Sequence, residues 1–409
     1  MRRERIVDVL VVGAGPAGLA TAVGLAGSGV GEIEVVDRER RPGGAARHCA
    51  HGGFGRLGTT GARYAEHWAA AAVGVGAVLR TGVTVTAWSG PLTVDTTSPH
   101  GLERITARAV VLATGARERP RAARLVPGTR PDGVFTTGEL QRAVHGHGRR
   151  IGTRAVVVGA EPVSFAALDT LRRAGVEVAA LVTEHPRHQA SGARAAEARL
   201  RHGIPLLTDA AVTDILGKGR LSGVRLRRRD GATAHLACDT VVFTGDFVPD
   251  HELARHGGLP LDPGTRGPAV DGAFRTAERG VFAVGNLLHA AETARVVTRE
   301  GIAASLAVCR YLTDGDWPAV SVPLRVTGPL AWVAPNRLVP AEEAPGEGFM
   351  VRTTEFLAHP VLTVTQDGRT LHRARRRRPV TPNRTFRVSG EWTGRVDARG
   401  GAVRIDLAP

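Results

Sequence analysis

Three sets of residues in this chain of 409 have the types and spacing to do chemistry. The first is Gly13-Ala14-Gly15-Pro16-Ala17-Gly18, with Asp37 lying 19 residues beyond the third glycine. In that spacing Gly13 permits a tight turn, Gly15 lets backbone approach a pyrophosphate, and Gly18 lets a helix pack closely on a strand. Asp37 is placed to accept hydrogen bonds from a ribose. The second is Arg47-His48-Cys49-Ala50-His51, a thiol between two imidazoles. His48, Cys49 and His51 are the candidate catalytic residues, with a histidine managing protons while hydride moves. The competing reading makes Cys49 a small buried residue and the histidines packing or hydrogen-bonding groups. A zinc site lacks a clear fourth ligand, so no metal is expected. The third set is Gly159-Ala160-Glu161-Pro162-Val163-Ser164, a second glycine loop in which Glu161 and Ser164 replace the second and third glycines.

The elements that must position these residues are legible around them. Ile6–Val12 is a short apolar, β-branched run that reads as a buried strand, the apolar residues after Gly18 suit a helix, and Ile33–Val36 is a second strand ending in Asp37. A second strand–loop–helix begins near residue 154: strand Ala155–Val158, a helix through Ala174 capped by Gly175, then strand Val176–Val182. Strand-plus-glycine segments end at Gly115, Gly245 and Gly285-Asn286, the last followed by His289, Glu292 and a helix from about Thr293 to Tyr311. The expected architecture is therefore α/β, with two Rossmann-like dinucleotide-binding folds, the second inserted in the first, plus a small C-terminal antiparallel β domain. The corresponding boundaries are 1–120 and 238–316 for the first fold, 121–237 for the second and 317–409 for the tail, which is rich in Pro, Gly and alternating Val/Thr/Leu.

Composition narrows the function. Hydrophobic residues at 43% and charged residues at 23% exclude wholesale disorder. Three cysteines, Cys49, Cys238 and Cys309, cannot build a disulfide framework or ligate a four-cysteine cluster, so a reducing, cytoplasmic setting is expected. The net charge of +15 comes almost wholly from arginine, Lys218 being the only lysine, and is spread along the chain rather than clustered as a nucleic-acid footprint would be. The one dense run, Arg373 with Arg375 to Arg378, reads as an edge strand blunted by charge, with a docking patch for an acidic partner as the alternative. Residues 9–31 are uncharged, but Pro16 and seven glycines argue against a membrane span, and no signal-peptide cleavage site follows a compact apolar core.

The ordered motifs GAGPAG, RRPGG, ATGARERP, GAEPVS, FTGD and AVGN resemble the flavoproteins of the pyridine nucleotide–disulfide oxidoreductase superfamily. RHCAHGGFG (47–55), the stretch 113–141 and CDTVVFTGDFVPDHELA (238–254) are similar to a narrower group of FAD-dependent oxidoreductases. That group includes the reductase-like subunits of opine dehydrogenases and hydrogen cyanide synthase, and proteins linked to anaerobic glycerol-3-phosphate dehydrogenase. The resemblance spans about residues 5–312. It implies FAD held by Gly13, Gly15, Pro16, Ala17 and Gly18 at the pyrophosphate and by Asp37 at the adenosine ribose. Gly43 and Gly44 would pass close to the cofactor, Val85 would face the adenine through its backbone, and Thr114 with Gly115 would pack beside the dinucleotide. Gly285 and Asn286 would bind the ribityl and phosphate oxygens, where the superfamily usually has Gly-Asp. The helix after Asn286 would point its N-terminus at the flavin's pyrimidine edge, with His289 either acting there or serving plain helix entry.

Cys49 has no cysteine beside it, so dithiol chemistry is not expected. Glu161 sets a carboxylate opposite two phosphates and argues against NAD(P) in the second fold, although Glu184 could still reach a ribose. Three readings follow. The first is an FAD-dependent dehydrogenase of a small amine, amino-acid-derived or hydroxyl substrate. The second is a non-catalytic electron-relay flavoprotein subunit, and the third an NAD(P)H-dependent flavin reductase. As the resemblance implies, the partners would be an iron–sulfur subunit together with a second flavoprotein subunit.

Overall fold

The computed structural model describes residues 2–55 and 58–409. The chain forms two compact units, one of Met1–Arg47, Arg63–Ala116 and Pro249–Pro409, the other of His48–Ala62 and Arg117–Val248. Residues 48–62 thus cluster with the second unit, inside the stretch the sequence assigns to the first fold. A short loop can leave one core and join another without disturbing the strands on either side of it, and periodicity does not register such a move.

The first unit is built on a seven-stranded sheet. Its path runs Val78–Thr81, Ile33–Asp37, Arg3–Val12, Gly101–Leu112, Thr93–Ser98, Thr84–Gly90, and Val281–Ala283 pairs in parallel with Gly101–Leu112. The central strands are parallel, with Val9 opposite Ile33 and Leu10 opposite Val110. Such strands are covered on both faces, which is why they read as continuous apolar runs. Val9, Leu10 and Val11 are fully buried, each side chain contributing roughly 1.5–3 kcal/mol of burial. The helix Pro16–Gly27 starts with proline in its first turn and has Gly15 as its cap residue. It packs against the long helix Ala294–Asp314, where small residues let the two backbones close up: a Cβ on Gly301 would lie within 2.3 Å of the Ala17 carbonyl oxygen.

The tail belongs to this first unit. It holds a five-stranded sheet in the order Arg337–Leu338, Val322–Val326, Val403–Ala408, Val361–Gln366, Arg369–Arg375, and a three-stranded sheet of Leu330–Ala334, Phe349–Thr353 and Thr385–Val388. Pairing is antiparallel except between Val322–Val326 and the final strand, which are parallel because that strand inserts in the middle of the sheet. The purely antiparallel expectation misses this, since only a non-local pairing creates it. Phe349 stacks on Trp392 at 5.1 Å in the tail's own core. The arginine-rich strand Arg369–Arg375 lies at the sheet's edge, and Arg376 covers the Phe386 ring at 4.3 Å.

The second unit carries a five-stranded parallel sheet in the order Leu206–Leu207, Glu177–Val182, Arg154–Val158, Thr240–Phe243, Val134–Thr136. Three antiparallel strands, Ala210–Lys218, Arg220–Arg228 and Thr233–Ala237, complete it. The helix Pro162–Arg173 covers the parallel sheet through Phe165, Leu168 and Leu171, so the Rossmann-like layout repeats. Among the described residues, no helix is long and apolar enough to cross a membrane.

Candidate functional site

In the first unit the glycine loop is a cradle with one open side. Gly13 has φ +113°, and a Cβ there would fall 2.3 Å from the Ala113 carbonyl oxygen, so only glycine fits the turn. A Cβ on Gly18 would lie 2.0 Å from the Gly13 carbonyl oxygen, which explains the third glycine as a packing requirement. Around Gly15, by contrast, nothing lies within 4 Å of a Cβ. That space faces the start of a helix, whose first-turn N–H groups lack intrahelical partners and favour an anion. Gly44, at φ +57°, closes the cradle from the other side, where a Cβ would lie 3.0 Å from the Gly15 Cα, and Gly43 donates its N–H to the Ala14 carbonyl at 2.7 Å.

Asp37 ties the cradle together. Its carboxylate accepts the Ala14 N–H at 2.7 Å on one oxygen and the Glu39 N–H at 2.7 Å on the other. Burial pushes its carboxyl up, and those two N–H groups pull it partly back. Each oxygen keeps a further lone pair for a ribose hydroxyl. The Asp37 carbonyl also accepts the Val83 N–H at 2.9 Å, which sets Val85, half-buried in Thr84–Gly90, two residues along from that contact. Thr114 donates its hydroxyl to the Asp250 carbonyl at 2.8 Å, and the Gly115 carbonyl accepts the Asp250 N–H at 2.9 Å.

Gly285, at φ +75°, passes so close to the fingerprint helix that a Cβ would lie 2.7 Å from that of Ala17. The Gly285-Asn286 step therefore borders the cradle. The Asn286 side chain, which the resemblance aims at ribityl and phosphate oxygens, is engaged at both ends by Glu292: Oδ1 accepts its N–H at 2.8 Å and Nδ2 donates to its carbonyl at 3.3 Å. Asn286 thus clamps the segment leading into the long helix, while Oδ1 keeps a lone pair and Nδ2 a second N–H. The loop is strained, with Ala290 at φ 28° and Ala291 at φ 64°, a region that residues with a Cβ rarely occupy and that clusters at ligand clamps. The tail holds it in place. Arg352 donates to the Glu292 carboxylate at 2.6 Å and Thr385 donates to the same oxygen at 2.8 Å. The Arg352 guanidinium lies over the Trp332 ring at 4.8 Å, and His289 stacks on that indole at 5.8 Å. Neither Arg352 nor Trp332 carries a sequence signal for this role.

The second unit holds the other two sets. Glu161, 8% exposed, folds back over its own loop: its carboxylate accepts the Ala160 N–H at 2.9 Å and the Thr244 hydroxyl at 2.5 Å. A Cβ on Gly245 would come within 2.4 Å of that carboxylate. The volume beside the glycine turn, kept bare in the first unit, is filled here by an anion. Thr244, with its hydroxyl also hydrogen-bonded to Ser164 at 2.7 Å, completes the plug. This goes beyond the like-charge argument from sequence, since the carboxylate also takes an N–H of the loop.

His48 and Cys49 lie along the segment Thr137–Gly146, and His51 is near enough to His145 of that segment to add to the lowering of its pKa by burial and Arg173. The Cys49 thiol donates to Gln141 Oε1 at 3.4 Å, and His48 Nδ1 sits 3.4 Å from where a Gly146 Cβ would be. His51 Nδ1 is 2.8 Å from the Gly52 carbonyl oxygen, and its ring lies 5.4 Å from that of Phe54. Burial, with the Glu118 charge adding to it, pushes the Cys49 thiol up to about 12. At neutral pH it is a protonated hydrogen-bond donor rather than a nucleophile. Among the described residues none of the three cysteines forms a disulfide. Sequence reasoning passes over Glu118, whose carboxyl burial raises to about 7 against the pull of the Gly138 N–H. Its only sequence marker is its place inside ATGARERP. Among the described residues no group of three or more His, Cys, Asp or Glu is arranged to hold a metal ion.

The family model described as pyridine nucleotide-disulphide oxidoreductase matches residues 7–301. The chain is 29% identical to an opine oxidase subunit of Rhizobium meliloti, over 74% of this chain and 62% of that protein. It is 28% identical to the alpha subunit of sarcosine oxidase from Rhizobium meliloti strain 1021, over 62% of this chain and 26% of that one. It thus spans about a quarter of one relative and under two thirds of the other. In fold it is similar to T. acidophilum thioredoxin reductase, with a TM-score of 0.64 at 24% identity, over 76% of this chain and 99% of that one. The cradle around Gly15 has the open space and backbone donors that an FAD pyrophosphate needs, and the chain belongs to the pyridine nucleotide-disulphide oxidoreductase family of FAD-dependent oxidoreductases.

Proposed function

We propose that this chain oxidises a small amine, amino-acid-derived or hydroxyl substrate, and that the electrons leave through a carrier or a partner subunit rather than arriving from NAD(P)H. The observation that carries this reading is Glu161, whose carboxylate occupies the loop on which a nicotinamide dinucleotide would have to seat its pyrophosphate. FAD, when bound, supplies the acceptor for the substrate's hydride. Gly13, Gly15, Pro16, Ala17 and Gly18 seat its pyrophosphate, Asp37 accepts from the ribose, Gly43 and Gly44 let the chain pass close, and Val85 offers backbone to the adenine. Thr114, Gly115 and Gly285 line the rest, and Asn286 turns its remaining N–H and lone pair to the ribityl and phosphate oxygens. Cys49 stays a neutral donor to Gln141, and His48 and His51 are the groups available to take up the substrate's proton. The names of the relatives draw the substrate class toward sarcosine and opines, and their being subunits supports a partner subunit, for which the sequence resemblance implies a second flavoprotein and an iron–sulfur component. Cys49, Cys238 and Cys309 are too few to ligate a four-cysteine cluster.

The test is anaerobic flavin reduction by sarcosine, by representative opines and by hydroxy-acid counterparts, followed by reoxidation with an artificial acceptor. Bleaching by a member of the panel is expected. Bleaching by none of them would contradict a substrate-oxidising chain and favour the electron-relay reading.

A further inference from the structure

The C-terminal β domain carries positive charge that its own acids do not balance. Eleven arginines lie between positions 369 and 404, and among the described residues Arg387 alone has a carboxylate partner, Glu347 at 2.7 Å. Three others turn to backbone: Arg369 donates to the Arg395 carbonyl at 2.9 Å, Arg395 to the Leu371 carbonyl at 2.9 Å and Arg376 to the Arg387 carbonyl at 3.1 Å. Arg373, Arg375, Arg377 and Arg378 are exposed and, among the described residues, have neither kind of partner. Like charges at this density repel one another and disfavour the compact state.

The strand Arg369–Arg375 is the last of its sheet and pairs with Val361–Gln366 along one edge only. On its other edge, among the described residues, the Arg395 guanidinium meets the Leu371 carbonyl, and the outward backbone groups from His372 to Arg375 have no partner. Arg373 stands opposite Thr363 and Arg375 opposite Val361, so both project from one face of the sheet, away from the core that holds Leu362 and Val364. A charge on the strand itself is enough to blunt such an edge. Here the unpaired charge continues past the strand's end, through Arg378.

Three kinds of partner suit a basic surface, and the surroundings favour one. Single-stranded nucleic acid is held by aromatic rings exposed between the basic residues, but the ring here, Phe386, is half-buried with the Arg376 guanidinium over it at 4.3 Å. Binding to an anionic bilayer surface adds apolar side chains beneath the charge, and among the described residues no large apolar side chain is exposed beyond Val320. An open strand edge suits a polypeptide, which alone of the three can complete it with main-chain hydrogen bonds.

We infer that the edge strand Arg369–Arg375 docks an acidic, extended segment of a partner polypeptide, which joins the sheet as a further strand and sets alternate carboxylates opposite Arg373 and Arg375. Opposite charges across a strand pair attract, and an arginine fork takes a carboxylate on two N–H groups. The inference rests on the tail alone and not on the proposed oxidation.

The experiment is fluorescence anisotropy of a labelled peptide of alternating glutamate and valine, titrated with the full FAD-loaded chain. A peptide of alternating glutamate and proline keeps the carboxylates but loses every second N–H. The valine peptide is expected to bind saturably and about tenfold more tightly than the proline peptide. Arg373→Gln/Arg375→Gln should weaken it about tenfold with flavin content and melting temperature unchanged, since both side chains are exposed. Arg149→Gln/Arg150→Gln, an equal loss of charge at exposed positions of the other unit, should leave it unchanged. Equal binding of the two peptides, undiminished binding in Arg373→Gln/Arg375→Gln, tighter binding of an oligothymidylate or of phosphatidylserine vesicles than of the valine peptide, or no saturable binding would overturn the inference.

Discussion

Gly15 and Glu161 occupy equivalent positions in two loops of the same design, and the contrast between them explains most of what each fold can bind. Gly15 leaves its surroundings empty within 4 Å of a Cβ, whereas Glu161 fills the corresponding space with a carboxylate hydrogen-bonded to Ala160 and Thr244. Gly15→Asp should therefore abolish FAD retention, by placing bulk and charge in the pyrophosphate's path, while the far-ultraviolet circular dichroism is unchanged. A yellow variant with full flavin content would refute that assignment. Glu118 gives a second residue-scale test. Its carboxyl is raised from 4.5 to about 7 by burial, so the folded state holds its proton longer than the unfolded chain does. Below about pH 4.5 both states are protonated and burial of the side chain exacts no ionisation penalty. As pH rises from there through 7, stability is lost, by up to roughly 3 kcal/mol. Glu118→Gln removes this loss, so its melting temperature relative to wild type should be higher at pH 8 than at pH 5. A difference that does not change with pH would show that Glu118 ionises freely.

At the scale of elements, the strand–loop–helix starts were legible because each is a local signal. Apolar β-branched runs, glycines where the turn requires them and Pro16 in the first helical turn all lie within a few residues of one another. The segment from Asn286 to Thr293, a helical turn over Asn286–His289 and the loop after it, was not legible, because what holds it is a partner some 60 to 90 residues away: Glu292 meets Arg352 and Thr385. Sequence marked Asn286 for the cofactor, and its amide also holds Glu292 through one N–H and one lone pair. Removing one partner of a buried ion pair commonly costs about 3–5 kcal/mol, and here the Glu292 and Arg352 side chains are 7% and 12% exposed. Arg352→Ala should consequently lower the melting temperature, speed proteolysis at Ala290–Glu292 and weaken FAD retention together. The double variant Glu292→Gln/Arg352→Met should recover much of the loss, since no unpaired charge is left buried. If Arg352→Ala melted like wild type and kept its flavin, the tail would have no part in holding that loop.

At the scale of the whole molecule, the α/β class and the repeated nucleotide fold could be read from the order of motifs, because parallel strands alternating with helices leave a periodic trace. The partition of residues 48–62 with the second unit, and the parallel entry of Val403–Ala408 into the tail's sheet, left none. Both are set by long-range packing. The candidate site was legible to the same extent: its cradle could be read residue by residue, but the direction of the Glu161 side chain could not. That direction bears on the central claim, a flavoprotein whose second fold does not deliver electrons from a nicotinamide nucleotide. The most direct measurement is anaerobic mixing of the FAD-loaded protein with NADH and then NADPH, following the flavin's visible absorption. The account predicts a band unchanged by either nucleotide, and rapid stoichiometric bleaching by one of them would contradict it.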